Sequence, residues 1–126
     1  SSATLADAAT IAGSDLSRQN LSGKDMTGAN LSSATLADAD LTNANLTNAN
    51  LSHATITGTA LHPARALVGV NLSSATLADA DLTSSNLSRA TIAGSDLSRQ
   101  NLSGKDMTRA NLSSAMLADA DLTNAN

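Results

Sequence analysis

Two histidines, eleven aspartates and a large stock of serines are the residues of this chain that could do acid–base, nucleophilic or metal chemistry. His53 and His62 have no cysteine partners and no aspartate at ligand spacing, so they do not read as a zinc site. A Ser-His-Asp relay of the hydrolase kind would need a strained Gly-x-Ser-x-Gly elbow to present its nucleophile, and none occurs. No glycine-rich phosphate loop is present. The aspartates also lack the glycine-rich nonapeptide that holds calcium in some β-helices. These residues instead recur at fixed places in a short repeat. The reading is a non-enzymatic chain with no cofactor and no metal.

The element that positions them is a lattice of Leu and Ile with a spacing of five. It runs Ile11, Leu16, Leu21, Met26, Leu31 and onward to Leu61, then resumes at Leu67 and continues to Leu122. Neither a helix, with period 3.6, nor a strand, with period 2, produces that spacing. A repeat this short turns the chain by a fixed angle and stacks each unit on later copies. With the Leu position as centre, most units read Ala, Asn or Asp, Leu, Ser or Thr, then a variable residue. Ala29-Asn30-Leu31-Ser32-Ser33 and Ala39-Asp40-Leu41-Thr42-Asn43 are examples. Ala beside Leu reads as a second inward site that admits only a small side chain. Asn, Asp, Ser and Thr supply the outer wall and the corners, where they hydrogen-bond the backbone.

This pattern resembles the pentapeptide-repeat family, whose signature is A(D/N)LXX, over nearly the whole chain. The resemblance implies an all-β fold, a right-handed quadrilateral parallel β-helix in which four units make one square coil. Counting Leu5, the 24 units make about six coils, each rising about 4.8 Å. Leu columns, with Ile11, Ile56, Ile92, Met26 and Met107, form the core. Phe, common at the centre in the family, never occurs here. Lys at Leu41 is expected to break a column, whereas Asn43→Lys is expected to be nearly neutral.

Composition fits a narrow interior. The chain has 126 residues and no Phe, Trp, Tyr or Cys, so Leu and Ala must fill the core alone. The absence of Cys excludes a disulfide framework and thiol chemistry. No apolar run approaches the length of a membrane span. A net charge of −4 disfavours direct nucleic-acid binding through phosphate neutralisation. The repeat starts and stops without a visible cap, as expected for a segment of a longer array.

One domain spans residues 1–126, with two breaks in the period. The spacing is six rather than five from Leu5 to Ile11, and again from Leu61 to Leu67. The second break, His62-Pro63-Ala64-Arg65-Ala66, holds the only Pro and is expected to bulge outward, because Pro lacks a ladder donor. Residues 9–45 recur at 90–126 with two differences, Gly28 against Arg109 and Thr35 against Met116. The offset of 81 is four twenties plus one. If the 62–66 loop absorbs the extra residue, both copies face the same way, about 19 Å apart. If the loop consumes a whole side, they differ by a quarter turn.

Three irregular places form the candidate interaction surface. The corner two residues after Leu16 reads Arg18, Asp38, Gly58, Asp79, Arg99, Asp119 up the stack, an expected ladder of opposite charges. Gln19 and Lys24, repeated as Gln100 and Lys105, occupy the place of the inward Ala. The lysines are expected to snorkel outward or distort the wall, since a bare ammonium in the core is very costly. His62, Pro63 and Arg65 in the loop are the third.

The sequence points to a rigid interaction scaffold, a structural subunit or spacer that binds protein partners over a broad face. An alternative implied by the family is a DNA mimic acting on DNA gyrase, although those members are strongly acidic dimers and this chain is only mildly acidic. A second alternative is an ice- or surface-binding solenoid. Its candidate column, Asp15, Thr35, Thr55, Thr76, Asp96 and Met116, is too irregular for a lattice match.

Overall fold

Where Asn or Asp precedes the centre and a coil lies on either side, the five-residue unit satisfies its backbone donors in one way, and the unit Ala49–His53 shows all five. Ala49 N–H closes a turn onto Leu46 O at 2.9 Å, and Asn50 N–H reaches down to Ala29 O at 2.9 Å. Leu51 N–H and His53 N–H reach up to Asn71 O and Ser73 O, at 2.7 and 2.9 Å. Ser52 N–H has no coil to meet and is taken by the Asn50 side chain, Oδ1, at 3.0 Å. Every buried peptide donor needs such a partner. The preference for Asn or Asp before Leu is thus a backbone requirement: its side chain accepts the one amide that stacking leaves over. The same brace forms at Asp15, Asn30, Asp40, Asn71 and Asp121.

The computed structural model describes residues 11–61, 67–77, 79–82 and 85–126. Parallel bridges link positions twenty apart, beginning Asp15 to Thr35, Asn20 to Asp40, Asp25 to Asn45 and Asn30 to Asn50. These four starting points, five residues apart, are the four sides of a coil. The ladder returns to its first side at Thr35. One ladder climbs through Asp15, Thr35, Thr55, Thr76, Asp96 and Met116. Most described sides contribute a single bridged residue rather than an extended strand, because a corner follows at once.

Across the second break the bridges span 21 residues, as in Asn50 to Asn71, Thr55 to Thr76 and Ala60 to Asp81. Beyond it they return to twenty, as in Asn71 to Thr91. One extra residue is therefore absorbed without loss of register, and the duplicated segments lie on the same faces. The 5–11 break up to Thr10 and the 62–66 loop, with His62, Pro63 and Arg65, lie outside the described residues.

The corners have a common backbone state. The residue two after each centre has φ near +60°, and most are not glycine: Ser33 (58°), Asp38 (59°), Asn43 (62°) and Arg99 (64°) are examples. With the three-residue bond closing behind it, as from Ala34 N–H to Leu31 O at 3.0 Å, this is the geometry of a type II turn. Asn43 is thus not the indifferent surface site that its outward position suggests. A left-handed corner suits Asn better than Lys, so Asn43→Lys carries a backbone cost.

Inside, the Leu columns and the small Ala sites form one cluster running from Leu21 to Leu102. Leu31, Leu36, Leu41, Leu46, Leu51, Ile56 and Leu61 are fully buried. Burial decays at both described ends, where Ile11, Leu16, Met107, Leu112 and Leu117 are half-buried. Leu122 is 41% exposed and Met116, on the outer wall, 53%. Not every lattice Leu is a core residue, because a side needs a coil on both sides to be closed.

Candidate functional site

The corner column stands where the repeat places it. Arg18 N–H bonds Ala37 O at 2.9 Å, Asp38 N–H bonds Thr57 O at 2.9 Å, and Arg99 N–H bonds Ala118 O at 2.8 Å. Each link ties one corner to the corner of the next coil. Arg18, Asp38, Asp79, Arg99 and Asp119 are all exposed, with φ between 59° and 64°. Gly58 fits this column because the Asp38 side chain leans over it, where a Cβ would collide with the Asp38 carboxylate.

The expected ladder of opposite charges does not close. Among the described residues neither Arg18 nor Arg99 forms an ion pair with the aspartates above or below it. The arginines act within their own coils instead. Asp15 is held below its usual carboxylate range first by the Ser17 hydroxyl and amide, with a smaller contribution from Arg18. Asp96 is held down in the same way by Ser98, then Arg99. Exposed pairs of this kind are worth little in water, so nothing draws the long side chains along the axis.

The second candidate, the doubled Gln-Lys segment, splits in two. Gln19 is exposed and Lys24 half-buried, whereas Gln100 and Lys105 are buried. Gln100 Nε2 donates to Leu77 O at 2.8 Å. That bond is one case of a rule. Thr59 Oγ1 donates to Leu36 O at 2.6 Å, Ser85 Oγ to Leu61 O at 2.9 Å, and Ser95 Oγ to Leu72 O. At these four positions the polar side chain at the small inward site finds the carbonyl that opens the turn one coil below. Gln19 belongs to the lowest described coil, where no described carbonyl lies beneath it, and it turns to solvent. Sequence identity between the copies therefore does not carry over into equal environments.

Lys105 buries its side chain to 6% exposure. Burial pushes its pKa down from 10.5, opposed in part by the Asp81 carboxylate. The side chain is almost wholly buried, and the Asp81 carboxylate is the charge that favours its ammonium form. No buried side-chain nitrogen or oxygen among the described residues lacks a partner.

The geometry brings Asp79, Arg99 and Gln100 together around an open cleft of about 630 Å³, with Asp81, Asp96, Ser98 and Asn101 completing its polar lining. Asp119 and Arg18 stand farther along the same corner, one and four coils from Arg99. His53 is a lone corner residue with φ of 60°. Among the described residues no three His, Cys, Asp or Glu side chains are grouped to hold a metal. No described helix is long and apolar enough to cross a membrane. One charged feature is invisible to a search for broken units: Arg89 and Arg109 follow each other in one corner column, with φ of 61° and 63°. Counting the column by twenties would have found it.

Comparison with known proteins agrees with this architecture. A solved structure of HetL from the cyanobacterium Nostoc, a pentapeptide repeat protein involved in heterocyst differentiation regulation, is 30% identical with a TM-score of 0.53. The match covers 89% of this chain and 63% of HetL. Rfr23 from the cyanobacterium Cyanothece is 29% identical, with a TM-score of 0.41, over 88% of this chain and 62% of Rfr23. A trypsin-treated variant of QnrB1, a plasmid-mediated fluoroquinolone resistance protein, is 18% identical with a TM-score of 0.48, over 98% of this chain and 70% of that one. The chain thus spans less than two thirds of HetL and of Rfr23. No curated protein sequence matches. The pentapeptide-repeat profile matches in eight copies, over residues 9–48, 25–62, 67–104 and 93–126. With its five-residue unit, its four-sided coil and that match, the chain belongs to the pentapeptide-repeat family, whose fold is the right-handed quadrilateral β-helix.

Proposed function

We propose that this chain is a rigid, non-catalytic scaffold of about six coils that holds a protein partner against the corner carrying Arg18, Asp38, Asp79, Arg99 and Asp119. The observation that supports it is the display itself: charged side chains, none tied up in ion pairs, stand on a backbone column with a fixed rise. An unpaired charge on a rigid frame loses little entropy on meeting its complement, which favours specificity and steering of the partner. The cleft lined by Asp79, Arg99 and Gln100 belongs to that face in this reading. Lys105, like Lys24, acts by shaping the wall beside it. The 62–66 segment, with His62, Pro63 and Arg65, is a second contact in this reading. HetL, a regulatory protein by description, is consistent with a role through binding rather than catalysis.

The test is capture of partners from lysate on the immobilised chain and on an Asp79→Ala/Arg99→Ala variant. A protein retained by the first and lost by the second supports the reading. Identical retention on both, with both folded, overturns the assignment of this face. A gyrase supercoiling assay separates the DNA-mimic alternative, because Arg18 and Arg99 interrupt the acidic column that such mimicry would require. No effect on supercoiling at micromolar protein is expected. For the ice-binding alternative, no thermal hysteresis is expected from a ladder only three Thr deep.

A further inference from the structure

Arg89 and Arg109 occupy successive corners of one column, which reads Gly28, Asn48, Gly69, Arg89, Arg109 up the stack. Gly69 N–H bonds Ser88 O at 3.0 Å and Arg89 N–H bonds Thr108 O at 2.8 Å, so the two arginines sit one coil apart, about 4.8 Å along the axis. Both are exposed. Like charges at neighbouring rungs repel, and this column holds no carboxylate between them. Neither guanidinium has a hydrogen-bond or ion-pair partner among the described residues.

The neighbouring sides do not neutralise them. The outward residue before Leu87 is the neutral Asn86. The one before Met107 is Asp106, whose carboxyl is held down by the Thr108 hydroxyl and amide with no part played by Arg109. By contrast Arg18 and Arg99 each act on the aspartate of their own unit. The internal duplication supplies the comparison: the first copy has Gly28 where the second has Arg109, and Gly28 has a φ of 69° at the equivalent corner. A near-identical copy thus differs at one of its two changed positions by gaining a cation directly above another cation, at a backbone state that favours glycine.

We propose that Arg89 and Arg109 together form a binding site for a phosphate dianion, carried either as free phosphate or as a phosphorylated side chain of a protein. A guanidinium presents a planar fork of donors matched to phosphate oxygens, and two forks at successive rungs meet the two negative charges of a phosphate monoester. The pair lies on a different corner from the proposed partner face and stands independently of it.

The site is tested by titrating the full chain, labelled with nitrogen-15, with inorganic phosphate at constant ionic strength, reading the amide shifts of Arg89 and Arg109. Saturable shifts confined to this corner are expected. Arg109→Gly restores the residue of the first copy at a compatible φ, so it folds, and it is expected to weaken binding about tenfold. Arg18→Gly removes the same charge at a distant corner and is expected to leave binding unchanged. Equal weakening by both variants, or shifts that never saturate, overturns the proposal. A phosphoserine peptide run in parallel separates the sources. Tighter binding than inorganic phosphate, still lost in Arg109→Gly, identifies a phosphorylated protein. Equal binding identifies the free ion.

Discussion

Side chains at the corners of this solenoid are held in a backbone state that most residues avoid. A non-glycine residue in the left-handed region costs about 1–2 kcal/mol, less for Asn and Asp. The stack imposes that state on Ser33, Arg89 and Arg99 alike, because the amide of each of these corners reaches the coil above. Ser33→Gly is therefore expected to stabilise the chain by about 0.5–1 kcal/mol, despite the entropy that glycine adds to the unfolded state. Gly58→Ala is expected to destabilise by at least as much, since the new methyl meets the Asp38 carboxylate. Urea unfolding of both variants checks the opposite signs. The corners were not legible in the sequence, where Ser33, Asn43 and Arg18 look like free surface positions and only the glycines hint at φ. At Lys105 the sequence signals the problem, an amine in an alanine site, but hides the outcome. Because burial depresses its native pKa, the folded chain binds fewer protons than the unfolded one between that value and 10.5. Stability accordingly rises with pH across this window, and the cost is fully present below it. Lys105→Ala is expected to raise the melting temperature at pH 7 and to flatten the alkaline rise.

At the scale of the turn, the Asn or Asp before a Leu typically does two jobs, bridging to the next coil and bracing its own corner. Asn45 Oδ1 accepts from Thr47 N–H at 3.0 Å and from Thr47 Oγ1 at 2.7 Å. Asp25 makes the matching pair with Thr27 at 3.1 and 2.7 Å. The chemistry differs only in charge. The Asp25, Asp106 and Asp121 carboxyls are held below 3.8 by these bonds, so they add stability above that value and lose it as pH falls through the native pKa. Asp25→Asn is expected to leave stability at pH 7 nearly unchanged and to weaken the acid dependence. Asn45→Ala is expected to cost about 0.5–1.5 kcal/mol at any pH, having orphaned the Thr47 amide. Thermal melts from pH 2 to 7 distinguish the two. This level was the most legible, because one hydrogen-bonding need recurs every five residues and leaves a compositional imprint. The inward polar rule was not legible. Thr59, Ser85, Ser95 and Gln100 differ in size and chemistry, and only the turn carbonyl one coil below unites them.

Over the whole molecule, stability is a property of neighbours rather than of units. A coil buries its Leu only when another covers it, which is why duplicated residues have unequal fates. Ser14 is half-buried and Ser95 fully buried, although the segments around them are almost the same. The arithmetic of an 81-residue offset allowed two orientations of the copies, and the 21-residue bridges select the aligned one. Solenoid stability of this kind is a sum of unit terms and nearest-neighbour interfaces. The same truncation should then have very different costs along the stack. Leu46 is fully buried midway through the cluster, so Leu46→Ala removes a methyl-rich side chain from a closed column. A loss of about 2–5 kcal/mol is expected, together with a cavity that neighbouring rungs can only partly fill. Leu122 sits at the same place in its unit but is 41% exposed, and Leu122→Ala is expected to cost less than about 1 kcal/mol. Urea midpoints of the two variants at matched slope measure the difference. Equal losses would mean that the unit, not its neighbours, carries the stability. A gradient from Leu46 through Leu112 to Leu122 would instead trace the cooperative interior directly.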